Sequence, residues 1–164
     1  MELYDNKFLP MDSFVRILAL VSIAALTFAL SFIMLPFMGW QLHFFQLGIF
    51  LSAFLFGPFA GAFVGALSSS YNGLLVIHNP WIIGGNALLG FFAAYLYTRT
   101  TPFKAAMAAY AIQLPYLLAT DVLFVGMPLM VVLGLAATLL AENVLCAFMA
   151  ITMAPHVKAL LSRS

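Results

Sequence analysis

Glu142 has the most unusual position of any ionisable residue in the chain, because it lies deep within a long apolar segment near the C-terminus. An acidic side chain at the centre of a membrane-spanning helix costs about 2.5–3.5 kcal/mol on insertion scales. Every Lys and Arg falls at or beyond the end of an apolar segment, so none is placed to neutralise it. We therefore expect Glu142 to be protonated, to be hydrogen-bonded to Asn143 or Gln113, or to bind a ligand.

Two further polar residues lie at positions that favour contact with a ligand. Asp121 is near the end of an apolar segment, where it is expected to be either a solvated helix-end acid or a ligand contact. Asn86 lies inside another apolar segment, and a buried amide needs hydrogen-bond partners. Its position favours a side chain that faces a pocket.

The sequence His-Asn-Pro-Trp at 78–81 has the pattern of a helix start. Asn79 is a suitable N-cap, and Pro80 suits the first helical position. Trp81 and Trp40 are expected to be either ligand contacts or anchors at the membrane interface, where Trp is common.

The sequence contains no combination of residues that is typical of a metal or catalytic site. His43 and His78 lack a third ligand at metal-like spacing, and the single Cys146 excludes a disulfide framework. The motifs of serine hydrolases, zinc peptidases and phosphate-binding loops are absent. We expect no metal, no cofactor and no enzymatic activity, so any ATP hydrolysis would reside on another chain.

The composition is that of an integral membrane protein. Of the 164 residues, 65% are hydrophobic and 7% are charged, and the mean hydropathy is +1.12. Soluble domains carry about 25% charged residues. The net charge of +1 and the absence of a basic patch give no indication of nucleic-acid binding.

All six Lys and Arg residues lie on one side of the membrane once the apolar segments are drawn as spans. They are Lys7, Arg16, Arg99, Lys104, Lys158 and Arg163. Because positively charged loops stay cytoplasmic, both termini are predicted to be inside. The residues with binding chemistry lie at the opposite, outer ends of the spans: Trp40, His43, Tyr71, Asn72, His78, Asn79, Trp81 and Asp121.

The predicted fold is an all-α integral membrane domain, 1–164, with six transmembrane helices. The predicted spans are 13–34, 44–56, 59–75, 81–97, 105–123 and 129–153, flanked by a cytoplasmic N-terminal segment 1–12 and a cytoplasmic tail 155–164. A loop containing Trp40 and His43 is expected after the first span, and Pro155 is expected to end the sixth. The first span is expected to be retained rather than cleaved as a signal peptide, because the segment before it is polar and acidic.

Small residues recur at every fourth position of the third span. Gly57, Gly61, Gly65, Ser69 and Gly73 form this stripe. In lipid, close approach of backbones across small residues holds helices together. The stripe predicts tight helix packing.

Three sequence features together resemble the membrane-embedded substrate-binding (S) components of energy-coupling factor (ECF) transporters. They are the Gly-Pro turn into the glycine stripe at 55–62, Asn79-Pro80 followed by the segment 84–90, and Glu142-Asn143 in the last span. The resemblance covers nearly the whole chain. It implies a subunit of an importer in the cell membrane of a prokaryote, with a transmembrane coupling subunit and a pair of cytoplasmic ATPases as partners.

The resemblance also implies roles for individual residues. Ala25 and Ala29 match an Ala-x-x-x-Ala pattern that contacts the coupling subunit in that family. The family's pocket opens outward and is built from the first outer loop and the last three helices. By position, the implied substrate-binding residues are Trp40, His43, Asn79, Trp81, Asn86, Gln113, Tyr116, Asp121, Glu142 and Asn143.

Charge narrows the expected substrate of such a subunit. These candidates include two acids and no Lys or Arg, whereas a buried carboxylate ligand would need a cation. A neutral or cationic vitamin-like heterocycle is expected: thiamine or its pyrimidine part, a queuosine precursor, or riboflavin. Cobalt and nickel members of the family carry a His beside the initiator Met, where this chain has Glu2. The alternative is a stand-alone transporter, proton-coupled or facilitative, that uses Glu142 and needs no ATPase.

Overall fold

The computed structural model describes residues 8–9, 14–37 and 40–162, with the backbone alone described at 37, 40 and 41. Six α-helices and one β-hairpin follow one another along the chain. The first half contains α1 (Phe14–Leu30), β1 (Met34–Phe37), β2 (Trp40–His43), α2 (Gln46–Phe56) and α3 (Pro58–Tyr71). The second half contains α4 (Trp81–Tyr97), α5 (Pro102–Ala119) and α6 (Leu129–Leu161). The six predicted helices are confirmed, in the predicted order.

Two helices end in a turn of π-helix rather than in a regular last turn. The first π-turn (Asn72–Val76) extends α3, and the second π-turn (Thr120–Phe124) extends α5. With these extensions, three helices in the described part of the chain are long and apolar enough to cross a membrane: Pro58–Val76, Pro102–Phe124 and Leu129–Leu161. The other three are apolar but shorter, with 17, 11 and 17 residues. Whether each of these crosses the bilayer, and which side holds the termini, stay predictions.

The loop predicted after the first helix is instead an antiparallel hairpin. Met34 pairs with His43 and Phe37 with Trp40. The helix ends at Leu30, before the predicted 34, and the first strand begins at Met34.

The sequence predicted that the sixth helix ends at Pro155, and that prediction is wrong. The helix continues to Leu161, and Ser162 N still donates to Lys158 O at 3.0 Å. Proline removes one N–H donor and crowds the preceding turn, yet α5 also contains an internal proline, Pro115. The segment 155–161 is therefore helical.

The core forms around α2, which contacts α1, α3, α4 and α6. Ile49, Phe50 and Ala53 on this helix are fully buried. Large apolar side chains on the other helices point outward instead, with Phe14, Phe59 and Met130 about four-fifths exposed. This pattern is what lipid contact requires, since apolar surface of this kind is not stable in water.

The predicted tight packing of the glycine stripe is confirmed at α3 and α4. A Cβ atom at Gly65 would collide with the carbonyl oxygen of Asn86, and one at Gly61 with that of Gly90. The two backbones therefore touch directly at these positions. Gly57, with φ of 96°, makes the turn between α2 and α3 that a residue with a side chain would adopt only under strain.

Candidate ligand-binding site

A cavity of about 330 Å³ lies between the end of the hairpin, the start of α2, the two π-turns and helices α4, α5 and α6. Its apolar wall consists of Phe45, Ile77, Ile82, Leu117, Met127, Leu135 and Leu139, together with Gly85. Its polar and aromatic lining consists of His43, Gln46, Asn72, Asn79, Trp81, Asn86, Gln113, Tyr116, Thr120, Asp121, Thr138 and Glu142. A mainly apolar cavity with a few convergent polar groups is typical of small-molecule sites, whose volumes run from about 300 to 1,000 Å³.

Glu142 lies in the wall of this cavity and is held by two hydrogen bonds. Its Oε1 atom accepts from the backbone N–H of His43, and its Oε2 atom accepts from Gln46 Nε2, each at 2.8 Å. The residue is 2% exposed. We call Glu142, His43 and Gln46 the Glu142 cluster.

Of the three alternatives for Glu142, the structure shows hydrogen bonding, but its partners are not the expected Asn143 or Gln113. Neighbouring residues on a helix point about 100° apart, so Asn143 faces away from the groups that Glu142 meets. Asn143 is buried but does not line the cavity. The true partners come from the hairpin and α2, whose approach to α6 is not visible in local sequence.

His43 contributes its backbone to Glu142 and its ring to the cavity lining. Burial lowers the pKa of the imidazole from its usual 6.5, so the neutral ring is favoured. Its Nδ1 atom has no hydrogen-bond partner among the described residues. A neutral imidazole has one nitrogen that donates a hydrogen bond and one that accepts.

A second polar group, the Asp121 cluster, consists of Asp121, Asn79, Trp81 and Tyr116. Asn79 Nδ2 donates to Asp121 Oδ1 at 2.6 Å, which joins the start of α4 to the second π-turn. The Tyr116 hydroxyl donates to the carbonyl oxygen of Trp81 at 3.1 Å. Asp121 is 6% exposed, so the expectation of a solvated helix-end acid is wrong.

The helix α4 begins one residue later than predicted, so Pro80 rather than Asn79 occupies the N-cap position, but the Asn79 side chain still bonds to the start of the helix. The Asn79 Oδ1 atom accepts from the backbone N–H of Trp81 at 3.2 Å, and Pro80 immediately precedes the first helical residue. Trp81 itself is 42% exposed and its ring lies 5.0 Å from that of Phe124, while it also lines the cavity. The two interpretations of Trp81, as surface anchor and as pocket wall, are therefore compatible.

Eight of the ten residues assigned to the pocket by the resemblance line the cavity. They are His43, Asn79, Trp81, Asn86, Gln113, Tyr116, Asp121 and Glu142. Asn143 does not, and the side chain of Trp40 lies outside the described part of the chain. Ala25 and Ala29 lie on the exposed face of α1, apart from the cavity.

The sequence did not assign Gln46, Asn72, Thr120 or Thr138 to the pocket, although all four line it. Gln46 and Asn72 are amides within or beside apolar spans, the signal that identified Asn86, so the same argument applied to them. Thr120 and Thr138 donate to helical carbonyl groups one turn earlier, a common pattern that indicates no site.

The sequence matches no protein-family model and no curated protein. The fold is similar to that of a solved structure described as the S component of a bacterial ECF transporter. The TM-score is 0.63 at 20% sequence identity, over 90% of this chain and 97% of that one. The predicted fold, all-α and like that of an ECF S component, is confirmed.

Proposed function

We propose that this chain is the membrane-embedded substrate-binding subunit of an ECF-type importer in a prokaryotic cell membrane. The observation that carries the proposal is the cavity, which holds two buried carboxylates within an S-component-like fold. In this proposal the chain is a transport subunit and not an enzyme, and its partners are a transmembrane coupling subunit and a pair of cytoplasmic ATPases.

The charge of the cavity supports a neutral or cationic heterocycle as the ligand. Glu142 and Asp121 are acidic, and the lining includes no Lys or Arg among the described residues. A carboxylate ligand would meet these acids without a compensating cation. Trp81 and Tyr116 supply aromatic faces suited to ring stacking or cation–π contact. Thiamine or its pyrimidine part, a queuosine precursor and riboflavin belong to this class.

The first experiment is to purify the chain in mild detergent, denature it and identify any released small molecule by mass spectrometry. We expect a neutral or cationic heterocycle that no longer co-purifies with Glu142→Ala. A carboxylate-bearing vitamin would keep the transport role and overturn the charge argument. Uptake of the identified compound is then measured with the coupling subunit and ATPases co-expressed, and it should stop when the ATPases are inactive.

A second candidate function is a stand-alone transporter, and the observation that favours it is the environment of Glu142. The carboxyl group is buried with amide donors and no cation in contact among the described residues, as in carboxylates that carry protons in membrane carriers. This function predicts uptake that follows the proton gradient and continues without the ATPases. The same uptake assay therefore separates the two functions.

A further inference from the structure

Each of the two π-turns places its first residue in the wall of the cavity. In the first, Ile77 N donates to Asn72 O at 2.8 Å, and in the second, Val125 N donates to Thr120 O at 3.1 Å. Both bonds span five residues, which inserts one extra residue into the turn and redirects the side chains there. Such turns are frequent at functional sites. Asn72 and Thr120 line the cavity as a result.

The two residues differ in how their polar atoms are satisfied. The Thr120 hydroxyl donates to the carbonyl oxygen of Tyr116 at 2.9 Å, within its own helix. Asn72 is 2% exposed, yet neither its Oδ1 nor its Nδ2 atom has a hydrogen-bond partner among the described residues. By contrast, Asn79 and Asn86 each donate to a protein oxygen. Burying a whole carboxamide unpaired is costly, so the position is poorly explained by folding alone.

The chemistry of a carboxamide defines what would satisfy it. The carboxamide group has one acceptor, its oxygen, and one donor, its N–H, side by side in a plane. It therefore matches the edge of a planar ligand ring on which a donor atom lies beside an acceptor atom. Asparagine reads the edge of adenine in this bidentate way. The lactam of a fused pyrimidine and the amino–ring-nitrogen edge of an aminopyrimidine both have this arrangement.

Other open atoms in the cavity agree with such a ligand. Gln46 and Gln113 line the same space, and the Oε1 acceptor of each is buried without a partner among the described residues. The orientation of Gln46 is set by its Nε2 atom, which donates to Glu142. With Asn72, three residues of the cavity lining therefore have a carboxamide oxygen without a partner among the described residues, which suits a ring that carries several N–H groups.

We propose that Asn72 is a specificity-determining residue that binds a planar nitrogen heterocycle through an edge of adjacent donor and acceptor atoms. This inference rests on the proposed function and narrows its ligand class. Aliphatic amines and quaternary ammonium compounds would satisfy the carboxylates but would leave the Asn72 carboxamide unpaired.

The test uses pairs of probes that differ only in whether the edge can donate. The pairs are lumichrome with 1,3-dimethyllumichrome, and 4-amino-2,5-dimethylpyrimidine with its 4-dimethylamino derivative, because in each of them methylation removes every N–H donor. Binding to the purified full chain is measured by calorimetry for the wild type, Asn72→Leu and Asn72→Asp. Leu approximates the shape of Asn and has no polar atoms, while Asp keeps the acceptors and loses the donor.

At least one parent probe should bind the wild type, with its methylated partner at least tenfold weaker. Asn72→Leu should weaken the parent at least tenfold and abolish the difference within the pair, and Asn72→Asp should also bind the parent less tightly. Without a probe, Asn72→Leu should melt at or above the wild-type temperature, because it removes an unpaired buried group. A structural role for Asn72 predicts a lower melting temperature instead.

Equal binding of parent and methylated probes, unchanged binding by Asn72→Leu, or failure of every parent probe to bind would each overturn the inference. The proposed function fails by a different result, which is uptake that continues when the ATPases are inactive. A co-purified ligand without a donor–acceptor edge would overturn the role of Asn72 and keep the transport role.

Discussion

The carboxyl group of Glu142 and the backbone N–H of His43 are joined by a 2.8 Å hydrogen bond, although 99 positions separate the two residues. The bond fastens the end of β2 to the middle of α6. The other carboxyl oxygen holds Gln46, the first residue of α2. One buried acid therefore fixes the hairpin, α2 and α6 around the cavity, and its role is structural before any ligand binds.

We expect Glu142→Gln to destabilise the protein and Gln46→Glu to restore it when added. A Gln at 142 keeps an acceptor for His43 N but presents an N–H group to Gln46 Nε2, so one charge-assisted bond worth about 1.5–3 kcal/mol is lost. A Glu at 46 accepts from that N–H group. Thermal unfolding in detergent of both single variants and the double variant completes the cycle.

The same three variants separate structure from binding. In the double variant the charge moves from α6 to α2, so stability should return while ligand affinity stays altered. A double variant no more stable than Glu142→Gln would show that the two side chains are not coupled as the structure places them.

Asp121→Asn should leave stability nearly unchanged and weaken binding of a cationic ligand by about tenfold or more, the loss of about 1.4 kcal/mol. An Asn at 121 still offers an oxygen to Asn79 Nδ2, and only the charge is lost. Asn79→Ala is the contrasting variant, because it removes both this bond and the hydrogen bond from Trp81 N at the start of α4, and loss of such a helix-start bond costs about 1 kcal/mol. Melting curves and ligand titrations of both variants measure the difference. Equal loss of stability in the two variants would contradict the conclusion that only the charge of Asp121, and not its hydrogen bond to Asn79, is lost in Asp121→Asn.

The sequence predicted the helices well because their signals are local. Apolar runs, Gly57-Pro58 and Asn79-Pro80 each define a boundary through nearby residues alone. The hairpin was missed because its residues are as apolar as those of the neighbouring helices. Its strands are defined by their pairing with each other, which no local sequence pattern shows. The helix beyond Pro155 was missed because proline weakens a helix without always ending it.

The candidate site was partly predictable for a related reason. A polar residue in an apolar span is conspicuous, which identified Glu142, Asn86 and Asp121. The hydrogen-bond partner of such a residue is set by long-range packing, so the sequence could not show that Gln46 pairs with Glu142. The π-turn at Asn72 depends on a single extra residue in a helical turn, and no local pattern in this chain predicts it.

Gly65→Ala should destabilise the protein, while Gly85→Ala should be neutral or stabilising. At Gly65 the added methyl group meets the backbone of Asn86, which cannot move without displacing α4. At Gly85 the nearest atoms are side-chain atoms at 3.4–3.5 Å, an ordinary contact, and Ala is favoured over Gly in a helix by about 1 kcal/mol. Melting temperatures of the two ligand-free variants provide the comparison. A stable Gly65→Ala protein would contradict the direct backbone contact.

The contribution of His43 to stability should decline in mild acid. Because its pKa is lowered in the folded protein, the unfolded chain takes up the proton first as the pH falls. The contribution of the neutral ring is therefore fully present above pH 6.5 and declines below it, toward the lowered folded value. Between about pH 7.5 and 5.5, the melting temperature of His43→Gln should rise relative to that of the wild type at the same pH. The same substitution at the exposed His78 should keep the wild-type profile, and an equal change in both variants would exclude His43 as the cause.

Replacing Ala25 and Ala29 by Leu should abolish transport and leave ligand binding intact, if the chain works with a coupling subunit as proposed. Both alanines lie on the exposed face of α1, away from the cavity, and small residues allow two membrane helices to approach closely. Two leucines on this face would hold a partner helix apart. We expect ligand affinity within twofold of wild type, at least a tenfold loss of uptake, and loss of the coupling subunit on co-purification.

Ala111→Leu, at an exposed position on α5, is the matched control and should keep wild-type ligand affinity, uptake and co-purification with the coupling subunit. Normal uptake by the Ala25→Leu, Ala29→Leu variant would place the coupling surface elsewhere, and uptake that needs no coupling subunit would favour the stand-alone transporter.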